Sequence, residues 1–332
     1  MTYTLDDILL QPQYSEIRSR KEVDLTTDLG NGIVLKFPII SSPMDTVTDA
    51  KMATRLARIG GLGIIHRYNS IARQAAAVRI AVYDGQGGHV GAAVGTTGDY
   101  LERAKELVDA GATVICVDVA HGHHIMMKEA LHELRNTFGD KLHIMAGNVA
   151  TTFGFQQLQR WGADSIRCGI GGGSACSTRI QTGHGVTNLR TIEECAEQPK
   201  KAKLILDGGI KNAGDIVKAL AVGADAVMIG SLLAGTDASP GEIVDGRKLY
   251  RGMASKEAQM AWRGKASAAE GVVSSVPYVG LLEDYIEELC GNIRSGCSYS
   301  GARNIKELKE RAVYDIISQS AQQESKPHIL TR

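Results

Sequence analysis

Short runs of consecutive apolar residues alternate along this chain with longer segments in which apolar residues recur every three or four positions. The short runs predict buried strands of a parallel sheet, because such strands are covered on both faces. The longer segments predict amphipathic helices, since their period places the apolar side chains on one face. Strands are predicted at 38–42, 62–66, 90–94, 114–120, 143–148, 165–170, 204–207 and 226–230. Helices are predicted at 49–59, 71–82, 99–110, 125–138, 152–161, 189–196, 214–222 and 281–293.

Eight successive strand–helix units predict a closed (β/α)8 barrel, and a chain of 332 residues is long enough to form it as a single domain. A weak repeat supports this architecture, because Gly111, Gly162 and Gly223 each follow a predicted helix and precede the next strand. Glycine is favoured directly after a helix. The same turns occur in doubly wound sheets, so the number of units carries the prediction.

Composition narrows the possible partners. Lysine plus arginine equals aspartate plus glutamate at 37 each, so no net charge attracts nucleic acid or a membrane surface. The chain starts without a basic, apolar signal segment, and Asp225 interrupts its longest apolar stretch. Six cysteines lie scattered without metal-ligand spacing, which is typical of reduced thiols. We therefore expect a cytoplasmic protein with neither nucleic-acid nor membrane partners.

The segment 169–179 places four glycines ahead of Cys176. So dense a glycine cluster is entropically costly unless the backbone must bend sharply or approach a ligand closely. Ser174, Ser177 and Thr178 surround the thiol with hydroxyl groups, so Cys176 is a candidate nucleophile. The alternative is a structural cysteine beside a glycine turn.

In a barrel of this kind the active site lies at the carboxyl ends of the strands. Two of those ends, Asp207-Gly208-Gly209 and Gly230-Ser231, have the composition of a phosphate-binding cup, which predicts a phosphorylated small-molecule ligand. His121, His123 and His124 follow another strand. No carboxylate cluster completes a metal site there, so hydrogen-bonding or solvent-facing histidines are the expected interpretation.

A segment at about 232–280 is too long for a simple connection after the eighth strand. Connections of this length in compact domains commonly act as lids over an active site. A mobile flap closing over the phosphate cup would bring Glu270 toward Cys176.

Several motifs in a fixed order resemble the family of inosine monophosphate (IMP) dehydrogenase and guanosine monophosphate (GMP) reductase. The resemblance covers nearly the whole chain and implies a barrel, usually tetrameric, in which Cys176 attacks purine C2 while a nicotinamide cofactor exchanges hydride there. It also implies that the regulatory CBS modules of the dehydrogenase are missing, because no large insertion follows the second strand. The motifs are residues 6–12, residues 42–47, the Cys176 loop, Asp207-Gly208-Gly209 and residues 250–253.

Carried over residue by residue, the resemblance implies roles for many of the strand-end residues. Catalysis is assigned to Cys176, Thr178 and Glu270. The substrate is expected to contact Ser42, Met44, Ser174, Asp207, Gly209, Gly230, Ser231, Tyr250, Gly252, Met253 and Ala254, with its phosphate in the cup, its ribose on Asp207 and its base near Met253. The NADPH cofactor is expected to contact His66, Arg67, Asp118, Asn148 and Gly169. A monovalent cation, K⁺, is expected on the carbonyls of Gly171, Gly173 and Cys176, and a loop ordered by substrate alone is the alternative.

The two branches of the family differ in the flap and at the amino terminus. Residues 19–25, residues 229–235, residues 255–257 and a short flap without the Arg-Tyr pair that activates water in the dehydrogenase resemble the reductase. Residues 41–44 and 182–186 resemble the dehydrogenase, and Gly172 replaces a proline usual in both branches, which we expect to loosen the loop. We therefore predict a GMP reductase. The alternatives are an IMP dehydrogenase with a different flap base, Arg263 or Lys265, and a noncatalytic nucleotide-binding barrel.

Overall fold

The computed structural model describes residues 2–199 and 201–327. Eight parallel strands form a closed barrel in which each strand pairs with its neighbours in the sequence, and the eighth pairs with the first. The predicted (β/α)8 barrel is thus confirmed. The strands are β1 (Ile39–Ser41), β2 (Leu62–Ile65), β3 (Val90–Val94), β4 (Val114–Asp118), β5 (His143–Val149), β6 (Ser165–Cys168), β7 (Lys203–Asp207) and β8 (Ala226–Ile229).

All eight predicted ring helices are also present. Most begin at a side-chain cap: Asp49 accepts the backbone N–H groups of Lys51 and Met52, for example, and Gly60 ends that helix at a positive φ of 90°. The last helix continues past the predicted residue 293. The helices are α1 (Ala50–Ile59), α2 (Ile71–Asp84), α3 (Tyr100–Asp109), α4 (Ile125–Phe138), α5 (Thr152–Arg160), α6 (Asn188–Ala196), α7 (Ala213–Val222) and α8 (Leu282–Tyr299).

Two apolar clusters stabilise the barrel. Successive strand residues point to opposite faces, so Ile39 joins the larger cluster between strands and helices while Ile40 joins a smaller one inside the barrel. Two short antiparallel strands, Thr27–Asp28 and Val34–Leu35, contribute Leu35 to the inner cluster, and Leu29 and Ile33 of their connection belong to it too. The barrel interior is therefore a packed core, which leaves the strand ends for ligand binding.

Other elements were not predicted as structured. Strands Ile8–Leu10 and Tyr314–Ile316 pair antiparallel and join the two ends of the chain. Within the flap, strand Arg247–Arg251 pairs with Val273–Pro277 and with Ile243–Val244. The flap helix, Lys256–Arg263, lies in the sequence between strands Arg247–Arg251 and Val273–Pro277. Further short helices are Thr178–Thr182, Ser231–Ala234, Ile305–Arg311 and Gln319–Glu324, with 3₁₀ turns at Leu5–Asp7, Arg20–Glu22 and Gly139–Lys141.

Helix α2 is joined to strand β3 by residues 85–89 alone, which is where the resemblance placed the missing modules. In the part of the chain that the structure describes, no helix is both long and apolar enough to cross a membrane.

Candidate active site

A cavity of about 330 Å³ opens at the carboxyl ends of the barrel strands. Its lining includes every residue predicted for catalysis, for the substrate and for the cation, and all but one of those predicted for the cofactor. Residues from seven strand ends and from the flap thus converge on one space. The flap's contribution is Tyr250, Gly252, Met253, Ala254 and Glu270.

His66 is the exception, because it does not line the cavity. Its Nδ1 accepts the backbone N–H of Tyr68 at 3.2 Å, and burial lowers the pKa of its imidazole despite the nearby carboxylates of Asp45 and Asp49. This half-buried ring thus contacts the backbone of the loop that carries Arg67 and Tyr68. A direct cofactor contact by His66 stays a prediction.

Cys176 is the exposed member of a hydrogen-bonded chain that begins at the thiol. Its Sγ donates to Thr178 Oγ1 at 3.1 Å, and Thr178 Oγ1 donates to Glu270 Oε2 at 2.8 Å. The other five cysteines are buried, and burial raises the pKa of Cys116 to about 12. Cys176 is therefore the cysteine placed for nucleophilic chemistry, with a hydroxyl and a carboxylate arranged to pass a proton.

The flap is attached to the Cys176 loop through backbone hydrogen bonds. Ser177 N–H donates to Glu270 O at 2.9 Å, and Val272 N–H donates to Ala175 O at 3.0 Å. Gly271 lies between them, where an added Cβ would come within 2.9 Å of Ser255 N. These bonds fix the carboxylate of Glu270 beside Thr178, so the approach predicted from the sequence is present in this arrangement.

The phosphate cup contains a buried phenol. Tyr250 lies so close to Gly230 that a Cβ there would come within 2.8 Å of the hydroxyl oxygen. Burial raises the pKa of Tyr250, and a hydrogen bond with Ser174 offsets part of this effect. The phenol therefore stays protonated at neutral pH and is able to donate to an anionic oxygen. Gly208 and Gly209 turn the chain at φ of 85° and 78°, where side chains are disfavoured.

Asp207 belongs to a charged network that was not predicted from the sequence. Its Oδ2 accepts from Arg167 Nη2 at 2.7 Å and from Asn148 Nδ2 at 2.8 Å, and Arg167 Nη1 also donates to Asp118 at 2.5 Å. Burial opposes the charge of Arg167, but its acidic neighbours, foremost Asp207, outweigh this and raise its pKa. The sequence signal for this network is Arg167 itself, an arginine within the short, fully buried strand β6.

Asn148, which is expected to contact the cofactor, is itself a member of this network. Its amide donates to Asp207 and also to Gly169 O at 2.9 Å, so both donors are engaged with protein groups. Asn148 thus orients Asp207 from a position that also lines the cavity. Each bond fixes the carboxylate at the point where a ribose is expected.

On the opposite wall, the flap helix contacts the loop after β2. The rings of Trp262 and Tyr68 stack with centroids 5.8 Å apart, and the Arg67 guanidinium lies 5.6 Å from the centre of the Tyr68 ring. At the base of the flap, Arg251 forms an ion pair with Asp45. The flap is therefore attached on both sides of the cavity, while Arg263 and Lys265 are exposed and outside its lining.

The expectation of a looser loop at Gly172 does not agree with the packing. The buried amide of Asn188 lies 2.6 Å from the position of an added Cβ at Gly172. A neighbouring side chain thus fills the space beside this glycine.

The barrel, the exposed thiol hydrogen-bonded through Thr178 to Glu270, and the glycine-rich strand ends together have the composition of an enzyme active site. Comparison with known proteins agrees: the IMP dehydrogenase / GMP reductase domain matches residues 2–328. The chain belongs to this family of oxidoreductases.

The relatives include both branches. The chain is 39% identical to inosine-5'-monophosphate dehydrogenase of Cryptosporidium parvum, over 98% of this chain and 94% of that protein. It is 32% identical to GMP reductase of Leishmania major, over 99% and 97%. A crystal structure of a GMP reductase variant from Trypanosoma brucei in complex with guanosine 5'-monophosphate superimposes with a TM-score of 0.92 at 29% identity, covering 99% of this chain and 98% of that one.

Proposed function

We propose that this protein is a GMP reductase, which converts GMP to IMP and ammonia with a reduced nicotinamide cofactor. The observation that carries the proposal is the chain from Cys176 through Thr178 to Glu270, closed by a flap whose other candidate bases, Arg263 and Lys265, lie outside the cavity. A leaving amine must gain protons, and this relay ends on a group able to supply them.

The cavity fits a purine mononucleotide. Backbone amides near Gly209 and Gly230, with the hydroxyls of Ser231 and Tyr250, suit a phosphate without a net positive field. Asp207 has one carboxylate oxygen held by Arg167 and Asn148, which leaves its other oxygen for ribose hydroxyls. This arrangement would present the purine edge to Cys176.

In the chemical step, Cys176 Sγ forms a bond to C2 of GMP, and the C2–N bond to the amino group breaks. Thr178 and Glu270 move the protons that the departing nitrogen takes up, so it leaves as ammonia. Addition of hydride at C2 then breaks the C2–S bond, so Cys176 leaves as the thiolate and IMP is released. A flap closed over C2 would exclude water, whose attack on the covalent intermediate would give xanthosine monophosphate in place of IMP.

A reduced nicotinamide, when bound, supplies the hydride that C2 receives. The residues that would hold it are Arg67, Asp118, Asn148 and Gly169, all on the cavity wall. The Arg67 guanidinium donates to Asp118 O at 3.3 Å, and its Nε lies 3.8 Å from a carboxylate oxygen of Asp118 without a hydrogen-bond partner within the described residues. Asp118 thus holds this cation on the cavity wall, where a planar guanidinium suits a phosphate of the cofactor. Our proposal of NADPH over NADH rests on the family resemblance.

A monovalent cation and a tetrameric assembly stay predictions, as does a cytoplasmic location. For the cation, the carbonyl of Gly173 accepts the Cys176 N–H at 3.0 Å, whereas those of Gly171 and Cys176 accept no bond from the described residues. Carbonyl oxygens are ligands that K⁺ prefers, so the donor set fits such an ion. Their part would be to order the nucleophile loop.

The second candidate is IMP dehydrogenase without CBS modules, which the dehydrogenases among the relatives favour. One experiment separates the two. Purified protein is incubated with GMP plus NADPH or NADH, and separately with IMP plus NAD, while the absorbance of the reduced cofactor and the ammonia produced are followed. Release of ammonia from GMP with oxidation of the cofactor would support the reductase. Reduction of NAD in the presence of IMP would show instead that the protein is the dehydrogenase. Nucleotide binding without either reaction would indicate a noncatalytic barrel.

A further inference from the structure

Two loops of the active site touch each other through their glycines. The loop after β6 carries the nucleophile, and the loop after β7 begins at Asp207, the expected ribose ligand. An added Cβ at Gly208 would lie 3.1 Å from both Cα and N of Gly173, so the two backbones are in direct contact. The relative position of these loops therefore sets the distance between the ribose and the reacting thiol.

Asn188 occupies the junction of the two loops. Its Nδ2 donates to Gly208 O at 2.8 Å, and Nδ2 lies 2.4 Å from where a Cβ at Gly209 would be. Toward the other loop, Oδ1 lies 2.6 Å from the Cβ position of Gly172 and has no hydrogen-bond partner among the described residues. The amide thus bonds to one loop and packs against the other.

The side chain is fixed in place by its own element. Asn188 is the first residue of α6 and only 9% exposed, and the helix behind it buries Leu189, Ile192 and Cys195 in the main core. A short side chain on a packed helix has little freedom to follow a loop that moves. It therefore provides a rigid reference point for both loops.

We propose that Asn188 is a positioning residue, which sets the placement of Cys176 relative to Asp207. The inference rests on the proposed function only in its test, because turnover is assayed with GMP. The contacts of Asn188 with the two loops do not depend on which reaction the enzyme catalyses. Misplacing reacting atoms by about 1 Å costs on the order of 100-fold in rate. Asn188→Ala should therefore lower kcat by roughly 10- to 100-fold while the dissociation constant of GMP changes less.

The rate at which iodoacetamide alkylates Cys176 reports the reactivity of the thiol itself. It therefore distinguishes a misplaced thiol from one that has lost its reactivity. Thr178 and Glu270 are untouched by Asn188→Ala, so the nucleotide-free protein should be alkylated at Cys176 at the wild-type rate. Thr191→Val is the matched control: it removes a buried hydrogen bond from Thr191 to Ala150 O, 3.3 Å long, on the same helix. We expect this control to lower the Tm and leave kcat unchanged.

A double-mutant cycle with Gly172 tests the contact itself. In the wild type, Gly172→Ala puts a methyl group against the Asn188 amide, and moving the amide would break its bond to Gly208. The same substitution in the Asn188→Ala protein meets free space, so its effect on kcat should be smaller by at least fivefold.

Three outcomes would overturn the proposal: kcat of Asn188→Ala within twofold of the wild type, equal effects of Gly172→Ala in both backgrounds, or slowed alkylation that accounts for the whole loss. An inactive wild type with GMP and with IMP would instead contradict the proposed function. Comparing the wild type with the Asn188→Ala variant therefore distinguishes the two failures.

Discussion

At the scale of single residues, Cys176 combines exposure with a hydrogen-bonded hydroxyl, and no other cysteine of the chain is exposed. We expect Cys176→Ala to abolish turnover while the dissociation constant of GMP stays within a few fold. Loss of a covalent nucleophile costs orders of magnitude in rate, whereas the phosphate and ribose contacts lie elsewhere. Steady-state kinetics with calorimetry is the measurement. Turnover close to wild type would show that the thiol does not react.

The proposed reductase direction depends most directly on the role assigned to Glu270. Glu270→Gln keeps the size of the side chain, but an amide is not able to supply the proton that Thr178 passes on. We expect ammonia release from GMP to fall by roughly 100-fold or more, in line with the usual contribution of general acid catalysis, while nucleotide binding persists. Thr178→Ser is the matched control, because it keeps the hydroxyl. Unchanged ammonia release would remove Glu270 from the mechanism.

Asp207 is the proposed ribose ligand and also an ion-pair partner of Arg167, so a substitution there affects binding and stability together. Asp207→Ala should weaken the binding of GMP by roughly 2 to 4 kcal/mol, because charge-assisted hydrogen bonds to the ribose are lost. It also deprives buried Arg167 of one carboxylate. Because Asp118 remains as its partner, we expect a loss of stability below the roughly 3 to 5 kcal/mol of a fully unpaired buried charge.

Calorimetry and thermal unfolding separate the two effects of Asp207. Asp118→Ala serves as the control, since it removes the other carboxylate of Arg167 while leaving the ribose ligand in place. An unchanged GMP dissociation constant for Asp207→Ala would mean that the aspartate is structural only.

At the scale of elements, the barrel strands and ring helices could be predicted because each is a periodic or continuous apolar pattern. Val90–Val94 matched its predicted range, since all its residues are buried and it is bounded by His89 and Gly95. The flap strands Arg247–Arg251 and Val273–Pro277 have no such pattern. The first has charged residues at three of its five positions and buries Lys248 while it exposes Leu249, and the second is largely exposed. The pairing of Ile8–Leu10 with Tyr314–Ile316 joins residues about 300 positions apart, which local pattern does not reveal.

The site shows the same division. A glycine cluster and a strand end marked Cys176 and Asp207 in the sequence, whereas Glu270 was predicted from the length of the flap and from the family resemblance. Arg167 and Asn188 act through neighbours in space, so their importance appears only when the barrel brings β6 beside β7 and α6 beneath both loops.

The flap helix supplies a prediction for an element as a whole. Trp262 stacks on Tyr68, and aromatic pairs of this kind contribute roughly 0.5 to 1.5 kcal/mol. Tyr68→Ala should therefore shift the Trp262 emission to the red and raise the KM of the cofactor by several fold, with a smaller change in kcat. The Trp161→Phe background leaves Trp262 as the only tryptophan.

Tyr68→Phe retains the ring and serves as the control for this stack. If Tyr68→Ala leaves both the emission and the KM unchanged, the contact between flap helix and β2 loop has no part in cofactor binding.

At the scale of the whole molecule, stability is expected to fall as the pH drops from 6.5 toward 5. Burial lowers the pKa of His143, whose ring nitrogens contact Gly30 O at 3.0 Å and Ser165 Oγ at 2.8 Å, far from the cavity lining. His66, His89 and His121 are shifted the same way by burial. In this pH range the unfolded chain binds more protons than the folded protein, so the free energy of unfolding rises with pH.

The sign of this dependence is specific to the histidines. Carboxyl groups with lowered pKa, such as Asp237 and Glu283, lose their contribution only below their unfolded values near pH 4. Each unit by which the pKa of His143 is lowered corresponds to about 1.4 kcal/mol lost once the pH has fallen below the folded value. Chemical unfolding between pH 5 and 7.5 should therefore show that the free energy of unfolding of His143→Gln depends less steeply on pH than that of the wild type. Equal slopes would show that His143 accepts its proton as readily in the folded protein as in the unfolded chain.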